Sequence, residues 1–125
     1  MKIIIKSQSE LPIYAQIVEQ IRTQILSGEI EEGTILPSIR KLAKETGVSV
    51  ITTTRAYSEL EATGYIASMQ GKGSIVLPRN NSLLKEQHLK HIEEYLTEAI
   101  RTAELLQLSK KEFQEILDTL WKTGE

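Results

Sequence analysis

The side chains in this sequence that could do chemistry are concentrated in one stretch, from Ser38 to Lys72, which is rich in hydroxyl and cationic groups. Within it, the run from Val50 to Arg55 offers threonine hydroxyls, one guanidinium and two branched aliphatic side chains, and it contains no acidic residue. DNA accepts all three types, because arginine binds guanine or phosphate, threonine binds phosphate, and isoleucine or valine contacts the thymine methyl group. These residues therefore indicate a surface that binds DNA.

The charge of the chain is unevenly divided along its length. The formal net charge is only −2, which argues against a protein that coats nucleic acid without selectivity. From Ser38 to Val76, five basic residues stand against three acidic ones, a net of +2, whereas seven basic and nine acidic residues give −2 from Arg79 to Glu125. The first of these two segments is the better candidate for contacts with phosphate.

Other kinds of functional site have weaker support. The chain has no cysteine, and no nucleophile-and-base arrangement is recognisable by spacing. His88 and His91 could share a helix face with Glu94, but solvated side chains are a better interpretation than a metal site. The run Gly71-Lys72-Gly73 lacks the full Gly-x-x-x-x-Gly-Lys-Ser/Thr pattern, so a hairpin turn is favoured over a nucleotide site. We expect no enzyme, no cofactor and no metal ion.

The size and composition predict a small soluble protein, either a single compact domain or a small domain with a short appendage. The chain has 125 residues, of which 40% are hydrophobic and 26% are charged. No apolar run approaches the roughly 20 residues that a membrane-spanning helix needs. The first six residues contain too short an apolar stretch for a secretory signal. We therefore expect a cytoplasmic protein that does not contact a membrane.

Three helices are expected to position the candidate residues. Apolar or buried-type residues recur at helical spacing in three groups: Ile13, Ile17, Ile21 and Ile25; Ile39, Leu42 and Ala43; and Thr53, Ala56, Tyr57 and Leu60. Ser38 and Ser49 are suitable N-caps for the second and third helices, and Gly47 supplies the turn between them. Residues 29–37 carry two turn signals and are expected to be a loop. Two short helices joined in this way predict a helix-turn-helix.

A β-hairpin is expected to follow the third helix. Residues 65–68 and 74–77 are β-prone, and the segment between them contains two glycines that permit a tight reversal. A helix, a helix-turn-helix and a hairpin in this order suggest a winged helix. In that arrangement the second helix of the motif enters the major groove, and the hairpin tip lies along the DNA backbone or in the minor groove.

The last part of the chain is expected to be a helical tail that pairs two copies of the protein. After a linker at 78–82, apolar residues recur with the coiled-coil period at Leu89, Ile92, Leu96, Ala99, Ala103 and Leu106. Ser109 and Glu112 predict a capping box that opens a last helix. The apolar face of that helix consists of Phe113, Ile116, Leu117 and Leu120. The seam could also fold back on this last helix, but the heptad period and the small size of the protein favour a homodimer.

The sequence also resembles the GntR-type bacterial transcription regulators, and specifically their small YtrA-like branch. The matching residues occur in order over almost all of residues 11–77: Pro12 to Ile17, Gly28, Gly33, Leu36 to Ala43, Gly47 to Ser49, Thr52, Arg55 to Tyr57, Leu60-Glu61, Gly64 to Ile66 and Gln70 to Ser74. The resemblance implies a dimeric operator-binding protein in which Arg40 is the base-reading arginine and Gly71 with its neighbours makes the minor-groove contact. It also implies phosphate binding by Ser38, Ser49 and Thr52, and control of a neighbouring transporter operon.

Two departures from the family limit what can be carried over. The family commonly has arginine directly after the Val-Ser pair and again four residues later, where this sequence has Val50 and Thr54. Arg55 is a candidate replacement, although it could equally bind a phosphate or pair with Glu59 four residues on. The tail is far shorter than the ligand-binding domains of most relatives, so a dedicated effector pocket is not implied. An unknown small-molecule effector between the dimer tails stays open.

Together these observations predict an α+β, mainly α protein. We expect an N-terminal winged helix-turn-helix DNA-binding domain at residues 1–78 and a helical dimerisation tail at residues 79–125. The predicted function is sequence-specific regulation of transcription, most simply repression, by a homodimer on a pseudo-palindromic operator. The alternative is a winged helix that binds a protein partner through Val50 and Ile51. The predicted DNA-binding residues are Ser38, Arg40, Lys41, Ser49, Val50, Ile51, Thr52, Thr54, Arg55, Gln70, Gly71 and Lys72.

Overall fold

The computed structural model describes residues 1–124, which form five helices and a small antiparallel sheet. In chain order the elements are α1 (Ile13–Leu26), α2 (Ile39–Thr46), α3 (Val50–Ala62), β1 (Ile66–Met69), β2 (Gly73–Val76), α4 (Ser82–Leu105) and α5 (Lys110–Thr123). The predicted α+β, mainly α fold is confirmed. Within the described residues, no helix combines the length and the apolar character required to cross a membrane.

The helix-turn-helix forms at the predicted positions because its capping residues act as expected. The Ser38 hydroxyl accepts a hydrogen bond from the Lys41 backbone N–H at 3.1 Å and begins α2. The Ser49 hydroxyl accepts one from the Thr52 N–H at 3.1 Å and begins α3. Gly47 ends α2 with a φ of 73°, a conformation that glycine adopts without steric cost. The core face of α3 is buried as predicted and packs against α1, α2 and β1.

The hairpin forms a two-stranded sheet that a third segment extends. β1 and β2 are antiparallel, with Ile66 opposite Val76 and Met69 opposite Gly73. Ile35 forms an isolated bridge to Ile75 in β2. The expectation of a plain loop at 29–37 is therefore incomplete. One paired residue between two turn signals is too short to show the alternation that marks a strand.

The first turn of α4 belongs to the N-terminal unit. The chain divides into two compact units after Lys85, later than the boundary expected after residue 78. Leu84 is only 1% exposed and joins the core, so the chain remains anchored beyond the hairpin. The Asn81 side chain accepts a hydrogen bond from the Leu84 N–H and donates one to the Gly64 carbonyl, both at 2.9 Å. A Cβ on Gly64 would lie 2.8 Å from the Leu84 nitrogen, so only glycine permits this approach.

The N-terminal segment is held by an arrangement that sequence reasoning did not anticipate. Three glutamines at four-residue spacing on α1 form a glutamine ladder: Gln16, Gln20 and Gln24. Each side-chain amide accepts a hydrogen bond from one backbone N–H and donates one to the same residue's carbonyl, at Lys6, Ile4 and Lys2 respectively. The six bonds are 2.7–2.8 Å long, except for 3.4 Å from the Lys2 N–H.

The ladder stays in register because two different repeats nearly coincide. Two residues of extended chain rise about 6.6 Å, and four residues of α-helix rise about 6 Å. Ile3 and Ile5, which alternate with the paired residues, are partly buried and pack against the core. The ladder therefore places residues 2–6 along α1 between Gln16 and Gln24 and adds the side chains of Ile3 and Ile5 to the core.

The second unit contains most of α4 and all of α5. The predicted capping box is confirmed, since the Ser109 hydroxyl accepts from the Glu112 N–H and the Glu112 carboxylate accepts from the Ser109 N–H, both at 3.1 Å. The predicted seam residue Leu106 lies one residue beyond the end of α4, where its N–H still bonds to the Thr102 carbonyl at 3.2 Å. The helix ends at Leu105, and Gln107 turns the chain with a φ of 59°. The spacing alone gave no sign of this turn, because Leu106 keeps the heptad period.

The seam does not fold back on the last helix. Over residues 86–124, α4 and α5 make no extensive packing contact, and neither helix contains a fully buried residue in this range. Ala103, Leu108 and Phe113 are half-buried near the joint between the helices. The rest of the seam is exposed, so the alternative in which α5 covers it is wrong for the single chain.

Candidate nucleic-acid interface

The first candidate group lies at the start of α2. Arg40 is exposed, and within residues 1–124 no ion pair involves its guanidinium. Lys41 is also exposed and lies 4.0 Å from the Glu45 carboxylate, a surface pair on the same helix. The Ser38 hydroxyl uses a lone pair for the helix cap, so its proton remains available to a phosphate oxygen. This end of α2 therefore presents one free guanidinium and one available hydroxyl donor.

The outward face of α3 is apolar in the first turn of the helix. Ile51 is 83% exposed and Val50 is 48% exposed, so two adjacent branched aliphatic side chains are in contact with solvent. Thr54 donates its hydroxyl proton to the Val50 carbonyl at 2.8 Å. Its methyl group and a hydroxyl lone pair remain for an outside partner. Because Val50 and Thr54 stand where the family commonly has arginine, this surface carries no charge at these positions and is suited to apolar contact.

Two predicted phosphate-binding hydroxyls are brought into direct contact. Ser49 donates its proton to the Thr52 hydroxyl oxygen at 2.9 Å while accepting from the Thr52 N–H. The Thr52 hydroxyl proton is then free to point outward. The two side chains act as one unit at the N-terminus of α3, where backbone N–H groups favour an anion.

Arg55 does not pair with Glu59. Its guanidinium carbon lies 3.7 Å from the centre of the Tyr14 ring, in a cation–π contact between α3 and α1. No ion pair involves Arg55 anywhere in residues 1–124. Tyr14 lies beside the apolar residues that recur along the first helix, and nothing in that periodicity distinguishes a core tyrosine from one that holds an arginine.

The wing tip is exposed and held to α3 by its base. The Glu61 carboxylate accepts hydrogen bonds from the Ser68 N–H at 3.2 Å and from the Ser68 hydroxyl at 3.3 Å. Gly71 lies in the turn with a φ of 80°, and a Cβ built there would meet no protein atom within 4 Å. Gln70 and Lys72 flank it and are exposed. The tip is therefore free for a close approach by another molecule.

The predicted dimerisation residues on α4 are mostly uncovered. Leu89, Ile92 and Leu96 are 50%, 52% and 40% exposed. Ala99 is exposed and Ala103 half-buried, while Leu106 lies beyond the helix. Ile100, 45% exposed, was not included in the predicted seam. A row of large apolar side chains thus remains in contact with solvent along α4.

The histidine pair on α4 does not form a metal site of its own. Among residues 1–124, no group of three or more histidine, aspartate or glutamate side chains is arranged to hold a metal ion. The centre of the His91 ring lies 6.4 Å from the centre of the Tyr95 ring, one helical turn further along α4.

Comparison with known proteins gives several relatives that are regulators. The transcriptional repressor NagR of Bacillus subtilis is 42% identical over 72 residues, which cover 58% of this chain and 30% of NagR. The transcriptional repressor YtrA of the same organism is 34% identical over 96 residues, which cover 77% of this chain and 74% of YtrA. This chain therefore spans less than a third of NagR but most of YtrA.

Solved structures extend the similarity to the fold. YtrA from Sulfolobus acidocaldarius, a GntR-family transcription factor, covers 100% of both chains with 30% identity and a TM-score of 0.61. The DNA-binding domain of AraR, solved in complex with the operator ORX1, covers 61% of this chain and 95% of that domain, with 30% identity and a TM-score of 0.53. The first of these similarities includes the helical tail, and the second is to a domain bound to DNA.

The family match covers α1, the helix-turn-helix and the hairpin. Residues 13–76 match the family described as bacterial regulatory proteins, gntR family. The match begins at the first residue of α1 and ends at the last residue of β2. The resemblance found in the sequence is confirmed, as is the expectation that the chain is not an enzyme, because the relatives are transcription regulators. Half of the chain lies within this match, and the chain belongs to the gntR family of bacterial regulatory proteins.

Proposed function

We propose that this chain is a transcription repressor that binds a pseudo-palindromic operator as a homodimer. The observation that carries the proposal is the pair of uncovered groups on the two helices of the motif, the unpaired guanidinium of Arg40 on α2 and the 83% exposed side chain of Ile51 on α3. An arginine can bind guanine through two hydrogen bonds, and an isoleucine can contact a thymine methyl group. Together they read sequence without the family's usual arginines on α3.

The remaining predicted contacts position the protein on the DNA backbone. Ser38 retains its hydroxyl proton, and the Ser49–Thr52 pair retains one at the N-terminus of α3. Lys72 stands exposed beside the glycine of the wing tip, which has room for the close approach that the minor groove requires. Contacts of this kind supply affinity and register, whereas base contacts supply specificity.

The relatives support the direction of regulation. NagR and YtrA are both named as transcriptional repressors, and the AraR domain is bound to an operator in its structure. Control of a transporter operon is supported only by the resemblance to the YtrA-like branch. Occlusion of polymerase by the bound dimer is the simplest mechanism.

Dimerisation is supported by the exposed seam on α4. The helix is 24 residues long, about 36 Å, and its apolar row is uncovered in the single chain. Large exposed apolar patches mark interaction surfaces, and a heptad spacing suits a second helix of the same kind. A two-fold-symmetric pair of chains would place two reading helices on two half-sites, which is the reason to expect a pseudo-palindrome.

The test is selection of bound sequences from randomised duplex DNA by the purified full chain. The salt concentration should be physiological, because low salt lets nonspecific attraction to phosphate dominate. We expect enrichment of a two-fold-symmetric site by the wild type, and weaker enrichment by Arg40→Ala.

Failure to enrich any sequence would contradict the proposal. It would favour the alternative of a winged helix that binds a protein through Val50 and Ile51, whose exposure suits either partner. Such an association would be insensitive to salt and to the replacement of Arg40.

A further inference from the structure

The contact between Tyr14 and Arg55 joins the first turn of α1 to the middle of α3. The two residues belong to helices that pack against each other, and the Arg55 guanidinium carbon lies 3.7 Å from the Tyr14 ring centre. At this distance the flat face of the guanidinium rests on the ring. The attraction between the cation and the ring favours this rotamer over the many others that an exposed arginine can adopt.

Stacking of this kind leaves the hydrogen-bonding capacity of the arginine intact. The N–H groups of a guanidinium lie in its plane, so a ring on one face blocks none of them. No carboxylate forms an ion pair with Arg55 in residues 1–124, and its charge is therefore not neutralised within the chain. The result is a pre-oriented cation with unused donors.

The position of Arg55 on α3 indicates what these donors bind. Successive steps of three residues form one ridge along a helix, and Ser49, Thr52 and Arg55 occupy such a ridge. It carries two hydroxyls followed by a guanidinium, the side-chain types that bind phosphate oxygens. Ile51, 83% exposed, lies one helical turn before Arg55, in the first turn of α3, and the N-terminal residues of a recognition helix are those that contact bases. The contact with Tyr14 draws the Arg55 guanidinium towards α1, and so to the flank of α3 on which α1 packs.

We propose that Arg55 binds a phosphate of the DNA backbone and that Tyr14 is the positioning residue that holds its guanidinium ready for this contact. The inference rests on the proposed function, because it assumes that α3 is the helix that enters the major groove. It assigns to the first turn of α1 a part in DNA binding that does not require α1 to touch DNA.

The test measures DNA affinity as a function of salt for five forms of the full chain: wild type, Arg55→Ala, Tyr14→Leu, Tyr14→Phe and the double variant Tyr14→Leu with Arg55→Ala. Each is titrated with the selected operator and with a duplex of unrelated sequence. We expect Arg55→Ala to weaken both by the same factor. It should also reduce the slope of log affinity against log salt by about 0.9 for each phosphate that the variant no longer binds.

The tyrosine variants separate positioning from packing. Tyr14→Phe keeps the ring face and should bind as the wild type does. Tyr14→Leu should weaken binding to both duplexes, and it should have no further effect once Arg55 is alanine. Additive effects in the double variant would show a structural role for Tyr14 and overturn the inference, as would a weakening by Arg55→Ala confined to the operator. Thermal unfolding of Tyr14→Leu, measured alone, shows how much of any weakening comes from stability.

Failure of the inference and failure of the proposed function look different. If the wild type binds DNA and Arg40→Ala weakens it, but Arg55→Ala leaves affinity and salt slope unchanged, only the inference fails. If the wild type binds neither duplex, the proposed function fails with it.

Discussion

The phenolic hydroxyl of Tyr57 donates a 2.6 Å hydrogen bond to the backbone carbonyl of Pro37, twenty residues earlier in the chain. Tyr57 lies on the core face of α3, and Pro37 immediately precedes Ser38, the residue that begins α2. The bond therefore fixes the start of one helix of the motif against the middle of the other. Burial raises the pKa of Tyr57 to about 12, and the nearby Glu45 carboxylate contributes in the same direction.

Tyr57→Phe should lower the free energy of unfolding by about 1 kcal/mol at neutral pH, because it removes one buried hydrogen bond and keeps the ring. The pH dependence has a definite sign. The pKa in the folded state lies above the ordinary value of 10.0, so the neutral hydroxyl stabilises the fold fully below pH 10 and this contribution is lost as pH rises towards 12. Urea unfolding of both proteins across this range measures the effect. Parallel curves for wild type and variant would contradict it.

Arg40→Ala should weaken operator binding by about 1–3 kcal/mol per half-site, because it removes a hydrogen-bonding partner of a base edge. Thermal stability should stay unchanged, since Arg40 is exposed and has no ion-pair partner within residues 1–124. Lys44→Ala is the matched control, because it removes an exposed cation from the same helix. Equal weakening in the two variants would assign Arg40 only a general electrostatic effect.

Lys72→Ala should weaken binding to all DNA sequences alike and reduce the salt slope by about 0.9 for each phosphate that Lys72 neutralises. The physical reason is that an ammonium group at the wing tip binds phosphate as a point charge. Affinity measured on operator and unrelated duplexes at several salt concentrations checks this. Weaker binding to the operator alone would mean that the wing reads bases.

Leu96→Asp should convert the dimer to monomer, because it places a charge in the middle of the apolar row on α4. The single chain should still fold, since Leu96 is 40% exposed. Arg101→Asp is the control, because Arg101 is exposed and lies on the face of α4 opposite the seam. Sedimentation equilibrium measures both variants. A Leu96→Asp protein that remains dimeric would place the interface elsewhere.

Gln20→Leu should lower the free energy of unfolding by about 1 kcal/mol, because it removes the middle two bonds of the glutamine ladder while keeping a side chain of similar size. The more specific measurement is amide hydrogen exchange at Ile4, whose N–H is held by Gln20 at 2.8 Å. Exchange at Ile4 should accelerate in this variant and not in Gln8→Leu, which alters an exposed glutamine outside the ladder. Unchanged protection would contradict the ladder.

Local signals in the sequence were sufficient for most of the winged helix. Ser38, Ser49 and Ser109 each act on a backbone N–H three residues away, so the information they carry is complete within one turn. The same holds for Gly47, whose backbone conformation depends on its own residue type.

Features that depend on distant partners were not predictable in this way. The pairing of Ile35 with Ile75, the contact of Tyr14 with Arg55 and the bonds of the ladder all join segments that are far apart in sequence. The end of α4 shows that a regular local pattern can also mislead. The heptad spacing includes Leu106, but the helix ends at Leu105. The exposure of Ile51 was expected, because the core residues of α3 lie on the other face of the helix. The molecule that contacts the Ile51 side chain cannot be deduced from the spacing.

Because of the glutamine ladder, the N-terminal segment tolerates substitution better than the three glutamines of α1 that hold it. Gln16, Gln20 and Gln24 recognise backbone atoms of the N-terminal segment and not its side chains. Positions 2, 4 and 6 can therefore accept almost any residue except proline, which lacks the N–H that each rung requires. Substitutions in descendants of this protein would accumulate at these three positions. A change at any of the three glutamines would instead remove the pair of hydrogen bonds that its side chain makes with the segment.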